Sequence, residues 1–498
     1  MEKEKKYLSQ IIAHRIEKLD IIRQAGHNPY AYNFDKTHDI QDLIDKGSDN
    51  IGNIVKTAGR IISQRKMGRA SFIHIQDVSG KIQIYLKNDI LPENIYDDIA
   101  RNLDLGDIVG CSGELFITKT KELSIKANNL QMLSKNIRPL PNLKEKEGTV
   151  FNIFYDKELR YRHRQLDLIA NPEVKDIFIK RAQIITSLRY YLDNNGFIEV
   201  ETPVLQPVYG GASARPFTTH HNTLDQSFYL RIADELYLKR LIIGGFEKVY
   251  ELAKNFRNEG MDRNHNPEYT SLEYYVAYSD VYSMMDFTEK LIRHVADRTV
   301  GLSFEYAGNC IDLSKPFNKK SMFDLLQEYT NTDISSLNLM DLKKLAKSKS
   351  ISLSEEMNYG QVLDKLFGEL VEPKLISPTF VTDYPKAVSP LAKQRRDGNE
   401  DIVERFELFI AGMEFANSFS ELNDPIEQRH RLESQAKLRE GGDEEAQVVD
   451  ENFLHAMEAG MPPTGGVGIG VDRLIMLLTL QQSIKDVILF PALRQEEK

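Results

Sequence analysis

The period of the hydrophobic pattern changes along this chain, and that change limits what the chain can fold into. Residues 1–30 place apolar side chains at helical spacing, and Gly26 and Pro29 end that pattern. Over residues 54–132 the period is two, and turn residues separate the alternating segments. Several short strands within about 80 residues predict a small β-barrel that follows an N-terminal amphipathic helix.

The part of the chain after the barrel mixes helices with closely spaced strands. A long helix is predicted over residues 176–193, where Asn195-Gly196 supplies the stop signal. We predict strands over residues 248–259, 269–275, 406–410 and 466–471. Because strands this close in sequence favour antiparallel pairs over βαβ units, we expect an α+β domain over roughly two-thirds of the chain.

Length and proline content divide the chain into segments. Its 498 residues are too many for a single core. The run Arg138-Pro139-Leu140-Pro141 is typical of a stiff hinge. We therefore expect a helical extension over residues 1–50, the barrel over 51–136, a hinge over 137–170 and the α+β domain over 171–498.

Composition excludes several classes of protein. No run of about 18 apolar residues is present, so no membrane helix is expected. The first six residues are mostly charged and no apolar segment follows them, which argues against secretion and for the cytoplasm. Cys111 and Cys310 lie far apart, so we expect neither a disulfide framework nor a zinc site.

The net charge of 64 − 74 = −10 argues against a nonspecific nucleic-acid binder, but the start of the barrel is locally basic. Residues 54–81 hold six basic side chains against one acidic residue, Asp77. The six are Lys56, Arg60, Arg65, Lys66, Arg69 and Lys81. A phosphate footprint and a solvated basic strand edge explain this charge equally well.

Outward-facing aromatic side chains favour the phosphate footprint. The alternation turns four isoleucines inward, Ile73, Ile75, Ile82 and Ile84. It leaves outward Phe72, His74, Gln83 and Tyr85. An outward Phe is also ordinary surface, but aromatic rings beside basic residues can stack on unpaired bases, at about 1–3 kcal/mol per base. We therefore predict a nucleic-acid-binding face on the barrel.

The first candidate site is the segment that contains Arg257 and Glu259. If this segment continues a strand, both side chains share one face and Phe256 points to the other. Arg can bind phosphate oxygens through its fork, and Glu can accept a hydrogen bond from an amine. A surface hairpin with a cross-strand ion pair explains the pattern equally well.

The second candidate is the glycine-rich segment 465–474. Its glycines allow close approach, and Asp472-Arg473 then opens an apolar helical run, so that Arg473 could hold a terminal phosphate. The spacing fails the GxGxxG pattern, which argues against a dinucleotide site. Taken alone, a glycine-rich strand packed on a helix explains the segment.

The third candidate contains two carboxylates and a mixed strand face. With Ala411-Gly412 as the bend of a hairpin, Glu407 and Glu414 come close, and paired carboxylates with few local cations need a divalent ion or a shared proton. Asn417, Phe419 and Glu421 alternate and could recognise an amphipathic cation. An edge strand with scattered charge has nearly equal weight.

In order along the chain, these segments together resemble the class II aminoacyl-tRNA synthetases, and most closely the bacterial-type lysyl-tRNA synthetases. The likeness covers nearly the whole chain. Residues 195–203 look like the family's motif 1, a dimer-interface element, and residues 210–222 and 231–240 follow in the family's order. Residues 256–259 are similar to motif 2 and residues 468–473 to motif 3. Five weak motifs in the right order are specific.

The resemblance implies an OB-fold barrel that binds the anticodon and a catalytic domain built on an antiparallel sheet flanked by helices. It implies that lysine is activated with ATP and Mg²⁺ and esterified to tRNA(Lys) by a homodimer. Arg257 and Arg473 would be catalytic. Arg257 would bind the α-phosphate and the lysine carboxylate, Glu259 the adenine amino group, and Arg473 the γ-phosphate. His265 would contact the phosphates, and Tyr269 would stack on adenine.

The resemblance also assigns the other site residues. Gly211 and Glu235 would hold the α-amino group of lysine, and Glu273, Tyr275 and Glu421 its ε-ammonium group. Asn417 and Phe419 would line that pocket. Glu407, also an ATP contact, and Glu414 would be the magnesium ligands. The anticodon would be read by Arg65, Phe72, Gln83 and Glu122.

Departures from the family pattern are few. Asp234 stands where the family usually has proline, Tyr269 where it has phenylalanine, and Asn264 where bacterial members often have arginine. Residues 145–155 look like a short insertion.

The alternatives are an aspartate or asparagine enzyme of the same subgroup and an RNA-binding regulator that has lost catalysis. The acidic Glu421 argues against the first, and the retained arginine and glutamate set argues against the second.

Overall fold

The structure is a computed structural model that describes residues 2–141, 143–146, 149–152, 156–355, 357–442 and 445–495. The chain divides into two compact units, Met1–Asp156 and Lys157–Lys498. Among the residues described, no helix is both long and apolar enough to cross a membrane.

A closed five-stranded barrel forms the first unit, as the period-two pattern predicts. Its strands are β1 (Ile54–Met67), β2 (Ala70–Gln76), β3 (Lys81–Lys87), β4 (Ile108–Ile117) and β5 (Leu123–Ser134). The order around the barrel is β1-β2-β3-β5-β4, and only β3 and β5 pair in parallel. The helices are α1 (Glu2–Gln24), α2 (Ile40–Asp45), α3 (Gly47–Asn50) and α4 (Ile95–Asp98).

A hairpin of β6 (Leu143–Lys146) and β7 (Thr149–Asn152) ends the described part of this unit. It coincides with the predicted insertion at residues 145–155. Residues 147, 148 and 153–155 of that insertion lie outside the described residues.

Helix α1 is tied to the barrel unit by a buried ionic network as well as by its apolar stripe. Ile22 of α1 is fully buried in the apolar cluster of the barrel, whereas Ile16 on the same helix is 43% exposed. Lys18 pairs with Asp104 at 2.6 Å, and Lys135 pairs with both Asp104 and Asp107 at 2.6 and 2.8 Å. The Lys135 and Asp107 side chains are fully buried, so each ion depends on the other for compensation.

The second unit contains thirteen strands in its described part. They are β8 (Ile198–Glu199), β9 (Leu205–Gln206), β10 (Thr218–His221), β11 (Gln226–Leu230), β12 (Lys248–Phe256), β13 (Glu268–Ala277), β14 (Ser303–Tyr306), β15 (Asn309–Asp312), β16 (Asn318–Ser321), β17 (Thr379–Pro385), β18 (Ile402–Ile410), β19 (Met413–Ser420) and β20 (Thr464–Gly470).

The same unit contains twelve α-helices in its described part. They are α5 (Lys157–Arg162), α6 (Arg164–Ala170), α7 (Glu173–Asn194), α8 (Glu235–Ile243), α9 (Val281–Asp297), α10 (Met322–Thr330), α11 (Leu339–Ser348), α12 (Tyr359–Leu370), α13 (Pro425–Glu440), α14 (Glu451–Glu458), α15 (Val471–Leu478) and α16 (Ile484–Val487).

Eight of the strands form one sheet in the order β16-β17-β18-β19-β20-β13-β12-β8. The pairs are antiparallel except for β16 with β17 and β12 with β8, which lie at the two edges. The prediction of an α+β protein, with a barrel and an antiparallel sheet flanked by helices, is confirmed.

One face of this sheet packs against α7, α9 and α15. Leu188, Leu291 and Leu477 of these helices are fully buried in one apolar cluster with Tyr274 and Phe406 of the sheet. Because neighbouring residues of a strand point to opposite faces, the alternate residues of β13 and β18 face away from this core.

The predicted hinge over residues 137–170 includes two helices of the second unit, α5 and α6. Arg164 of α6 is buried, and its guanidinium group donates hydrogen bonds to the carbonyl oxygens of Leu489 and Lys485. The bounds of the four predicted segments stay a prediction.

Candidate active site and nucleic-acid face

A cavity of about 570 Å³ opens in the second unit, on residues of β13, β18, β19 and β20 and on loops around them. Thirteen of the residues predicted for ATP, lysine or metal binding line it. They are Gly211, Glu235, Arg257, Glu259, His265, Tyr269, Glu273, Tyr275, Glu407, Glu414, Asn417, Phe419 and Arg473. The fold thus brings together the three candidate sites found in the sequence.

Strand β20 forms the floor of this cavity because its glycines carry no side chains. Gly466 lies between Tyr275 of β13 and Phe419 of β19 in the sheet register. A Cβ atom on Gly466 would lie 2.2 Å from Glu421 Oε1 and 2.3 Å from Tyr275 Cε1. Any side chain here would therefore occupy the space between the two strands that carry polar groups.

The local structure predicted for Arg257 and Glu259 is wrong. Strand β12 ends at Phe256, and both residues lie in the loop that follows. The Arg257 amide still donates to the carbonyl of Pro267 at 2.9 Å, but the chain then leaves the sheet. Both side chains line the cavity because the loop folds over it, and not because they alternate along a strand.

Arg257 lines the cavity, and its positive charge is not paired by any described residue. It forms no ion pair with any described residue, and its guanidinium carbon lies 5.3 Å from the ring centre of Tyr269. Burial opposes its charge, but the neighbouring Glu259, Glu414 and Glu273 keep the pKa of Arg257 above its ordinary value. A guanidinium group in this state is available to an anionic ligand.

Arg473 lies on the first turn of α15, as the glycine-rich segment predicts. One nitrogen donates to the carbonyl oxygen of Glu414 at 2.9 Å, and the other lies 3.1 Å from His265 Nε2. The adjacent Asp472 accepts a hydrogen bond from the Thr270 amide at 2.7 Å and so anchors the helix start. Arg473 and His265 therefore act on the same part of the cavity.

The predicted hairpin between Glu407 and Glu414 is present. Ala411 and Gly412 both have positive φ, +52° and +73°, which is the geometry of a two-residue hairpin turn. Strands β18 and β19 place Asn417 opposite Glu407, and a bulge follows in the register at Leu408. Both carboxylates line the cavity.

The expectation that these carboxylates have few local cations is wrong. Arg405 pairs with Glu407, and Arg473 lies 3.4 Å from a Glu414 carboxylate oxygen. Tyr384 also donates to Glu407 at 2.8 Å. Burial nevertheless raises the pKa of Glu407 to about 7, since the attraction of Arg405 is partly offset by Glu414. Arg405 could have been found from sequence, because residues two apart share a strand face.

Among the described residues, protein side chains alone do not complete a metal site. No cluster of three or more His, Cys, Asp or Glu side chains is placed to hold a metal ion in the part of the chain that the structure describes. A metal ion at Glu407 and Glu414 would need ligands from a substrate or from water.

Glu273, a neighbour of Arg257, belongs to a group of buried carboxyl groups that forms the acidic end of the cavity. Asp234, Glu235, Glu273 and Glu421 are 0–8% exposed, and Lys239 forms ion pairs with two of them, Glu235 and Glu421. Burial raises the pKa of each, to about 6 for Asp234, to about 8 for Glu421 and well above the ordinary value for Glu273. Such a group of acids favours a ligand that brings positive charge.

Glu421 differs from the other predicted residues because it does not line the cavity. Strand β19 ends at Ser420, and the Glu421 amide turns to the carbonyl of Thr464 at 2.8 Å. Its carboxylate lies on the side of β20 to which a Gly466 Cβ would point, and Oε1 has no hydrogen-bond donor among the described residues. The alternation predicted for Asn417, Phe419 and Glu421 therefore does not reach Glu421, because the strand ends at Ser420.

Sequence reasoning gave no role to Asp234 or Lys239. Lys239 lies four residues after Glu235, a spacing that places both on one face of a helix and could have been noticed. Asp234 has no comparable signal. Its burial beside Glu273 depends on the packing of α8 against β13, which local pattern does not encode.

The predicted nucleic-acid residues meet on one face of the barrel unit. Phe72 lies opposite Arg65 on one side and Tyr85 on the other, and the Phe72 and Tyr85 ring centres are 4.8 Å apart. Gln83 donates to Glu122 at 2.8 Å. The arrangement offers stacking rings beside an exposed guanidinium group and two hydrogen-bonding side chains.

Two details of this face differ from the sequence prediction. Gln83 is 9% exposed and not freely outward, because it also accepts a hydrogen bond from Ser124 at 2.9 Å. The basic segment is not one continuous footprint, since Arg60 and Lys66 donate to the carbonyl oxygens of Gly106 and Arg101. A basic side chain that already donates a hydrogen bond to a backbone carbonyl oxygen contributes less to a phosphate-binding surface.

His74 belongs to the same network and was not predicted to read bases. Its Nε2 lies 2.7 Å from Glu122 Oε1, and its Nδ1 lies 2.7 Å from Ser63 Oγ. The alternation of the hairpin predicted that His74 faces outward. Its contact with Glu122, which precedes β5, depends on closure of the barrel.

Comparison with known proteins agrees with both units. A model for class II tRNA synthetases (D, K and N) matches residues 156–494, and a model for the OB-fold nucleic-acid-binding domain matches residues 55–133. A lysine–tRNA ligase from Carboxydothermus hydrogenoformans is 48% identical over 492 residues, 98% of this chain and 99% of that protein. The chain belongs to the class II tRNA synthetases.

Further relatives point to the same branch of this family. Lysine–tRNA ligases from Thermoanaerobacter pseudethanolicus and from Thermoanaerobacter sp. strain X514 are each 50% identical over 490 residues, 98% of this chain and 96% of those proteins. The resemblance drawn from the sequence motifs is confirmed, and the barrel is an OB-fold.

Proposed function

We propose that this class II synthetase is a lysine–tRNA ligase. It joins L-lysine to ATP, forming lysyl-adenylate and pyrophosphate, and then transfers lysine to the 3′-terminal adenosine of tRNA(Lys). The excess of buried carboxyl groups at one end of the cavity carries this proposal. Lysine brings two ammonium groups to those acids, whereas aspartate and asparagine bring one and would add an acidic or neutral side chain.

The two ends of the cavity divide the substrates between them. Arg257, His265 and Arg473 support binding of the ATP phosphates at the cationic end. Glu259 would accept from the adenine amino group, and Tyr269 would stack on the ring. Because Arg257 is unpaired, it is also the group proposed to hold the lysine carboxylate next to the α-phosphate.

At the acidic end, Gly211 and Glu235 would hold the α-amino group. Glu273, Tyr275 and Glu421 would take the ε-ammonium group, and Asn417 and Phe419 would line the pocket around the side chain. The unpartnered Glu421 Oε1 supports this assignment. A Cβ on Gly211 would approach the Cβ of Glu235 to 3.0 Å, so glycine keeps the loop open there.

Adenylation needs no nucleophile from the protein. A carboxylate oxygen of lysine attacks the α-phosphorus, the bond from that phosphorus to the bridging oxygen of the β-phosphate breaks, and pyrophosphate leaves with the electron pair. In the second step, a hydroxyl oxygen of the terminal ribose attacks the lysyl carbonyl carbon and loses its proton to the solvent, the bond from that carbon to the phosphate oxygen breaks, and AMP leaves with the electron pair. The protein acts by positioning two anions and stabilising the charge that builds on the phosphoryl oxygens.

Mg²⁺ fits the residues at the cationic end. Glu407 and Glu414 supply carboxylate oxygens, which Mg²⁺ prefers, and this ion usually combines one or two carboxylates with substrate phosphates and water. We propose Glu407 and Glu414 as its ligands. When bound, the ion neutralises phosphate charge and polarises the phosphoryl group. ATP is a substrate and not a resident cofactor.

We assign anticodon binding to the OB-fold face, with Arg65, Phe72, Gln83 and Glu122 as the reading residues. Stacking on Phe72, hydrogen bonding with Gln83 and hydrogen bonds accepted by Glu122 suit unpaired bases. The same proposal includes a cytoplasmic location, where the substrates are present, and Cys111 and Cys310 are both free thiols.

Arg257→Ala tests the adenylation role. We expect lysine-dependent ATP–pyrophosphate exchange to fall by about 10²–10³, because one preorganised charge partner of the transition state is lost. Arg298→Ala, at an exposed arginine outside the cavity, is the matched control. Wild-type exchange measured with each of the twenty amino acids tests the substrate. Exchange with aspartate or asparagine in place of lysine would refute the proposal, and no exchange with any amino acid would favour a non-catalytic RNA-binding protein.

The raised pKa values predict that lysine binding is linked to pH. In the free site Glu421, with a pKa of about 8, is partly protonated at neutral pH, and the ε-ammonium group binds the anionic form. Lysine binding at pH 7 should therefore release protons and strengthen as the pH rises from 6.5 to 8. Isothermal titration in two buffers of different ionisation enthalpy measures this release. Glu421→Gln should reduce it, and wild-type binding without proton release would contradict the charge argument.

Phe72→Ala and Glu122→Gln test the anticodon face. We expect the KM for tRNA(Lys) in aminoacylation to rise about tenfold or more, as the loss of one stacked base at about 1–3 kcal/mol implies. Lysine-dependent pyrophosphate exchange without tRNA should be unchanged. Tyr32→Ala, at a fully exposed aromatic residue of the same unit, is the control. An unchanged KM in both variants would move the anticodon site elsewhere.

A homodimer is also part of the proposal, from the likeness of residues 195–203 to motif 1. Apolar side chains in and just after this segment are exposed in the single chain, with Ile198 at 52%, Val204 at 40% and Leu205 at 48%. Sedimentation velocity should give twice the chain mass of 57.1 kDa. A single species at the monomer mass at micromolar concentration would count against a stable dimer.

A further inference from the structure

Lys239 is a buried cation to which the proposed mechanism gives no role. It lies one turn after Glu235 on α8, and its side chain is 1% exposed. Its Nζ lies 2.5 Å from Glu235 Oε1 and also pairs with Glu421 Oε2. One ammonium group therefore joins two carboxylates that belong to α8 and to the residue after β19.

The contacts of Lys239 leave the other oxygen of each carboxylate uncontacted by it. Glu421 Oε1 has no hydrogen-bond donor among the described residues, and it lies next to Gly466 on the cavity floor. Glu235 lines the cavity directly. Each carboxylate can accept from Lys239 on one side and from a ligand on the other.

The burial of this ion pair restricts movement of the two acids. If Glu421 moved away from Lys239, a buried charge would lose its compensation, which is strongly unfavourable. The Phe419 ring also lies 5.6 Å from the Lys239 Nζ and limits the space around it. Lys239 thus holds the Glu235 and Glu421 carboxylates at a set separation.

We propose that Lys239 is a positioning residue that selects the length of the amino-acid substrate. It rests on the proposed function, in which Glu235 takes the α-amino group and Glu421 the ε-ammonium group. Because Lys239 holds both carboxylates, only a diamino acid whose amino groups span their separation can satisfy both. Ornithine, which is one methylene shorter, would leave one carboxylate unpaired.

The alternative is that Lys239 only stabilises α8 as an internal ion pair. In that case its loss would lower the stability of the unit or change all kinetic constants together. Length selection instead requires a specific change in the lysine constants and in the ratio of lysine to ornithine.

The test is Lys239→Met, with pyrophosphate exchange measured for lysine and for ornithine. We expect the KM for lysine to rise tenfold or more, kcat to stay within about threefold, and the KM for ATP to be unchanged. The lysine-to-ornithine ratio of kcat/KM should fall at least tenfold, since discrimination of one methylene is worth about 10–200-fold. Lys254→Met is the matched control, because that lysine is 44% exposed and its ion pair with Glu268 is long, at 3.7 Å.

Two further variants keep the test valid if Lys239→Met does not fold, which circular dichroism would reveal. Lys239→Arg retains the charge and should keep more of the lysine selectivity than Lys239→Gln, which loses it. In Lys239→Ala, added propylamine should restore part of the lysine selectivity, because it replaces the deleted chain and its ammonium group. A purely structural role would not give selectivity that returns with propylamine.

The outcomes separate this proposal from the proposed function. If the wild-type protein exchanges with lysine and the variants keep the lysine-to-ornithine ratio, the positioning role is overturned and the function stands. Equal changes in the KM for lysine and for ATP also overturn it. If the wild-type protein does not exchange with lysine, both proposals fail.

Discussion

The absence of side chains on one face of strand β20, at Gly466, Gly468 and Gly470, is the constraint on which the active site depends. This strand lies in the middle of the antiparallel sheet, between β13 and β19, which carry most of the polar side chains. At Gly466 a single Cβ would collide with Tyr275 and with Glu421. The glycine strand therefore keeps hydrogen-bonded sheet continuity while making room for the Tyr275 and Glu421 side chains at Gly466, and a Cβ at Gly468 would have no atom closer than Glu273 Cγ at 3.7 Å.

Around that floor the chain separates charge into two ends. Arg257 and Arg473 line one end, and neither has a buried carboxylate that fully pairs it. At the acidic end four buried acids lie together, and Lys239 pairs with two of them, Glu235 and Glu421. At the buried acidic end these charges act strongly on a ligand, because the local dielectric constant is low. The arrangement suits a reaction that places an ammonium-bearing acid beside a phosphate chain.

Sequence reasoning succeeded where a local signal decides the structure. The turn at Ala411-Gly412 and the β2–β3 hairpin follow from turn residues and period-two alternation, and both are present. It failed where a strand end depends on distant partners. The chain leaves the sheet after Phe256, and the Asn258 amide donates to the carbonyl oxygen of Arg215 in a distant loop. Gln83 is not freely exposed, because Ser124 of β5 donates a hydrogen bond to it. No window of the sequence contains those partners.

The sequence by itself determined the kinds of charge available, the order of the motifs and most of the elements, since these depend on residue type and short-range periodicity. Only the tertiary structure decided which charged groups lie close enough to interact. Lys239 and Glu421 are far apart in the chain, yet they share one ion pair, and Asp234 joins Glu273 through the packing of α8 on β13. Burial and electrostatic energy depend on every group within a few ångströms, and the fold alone sets which groups those are.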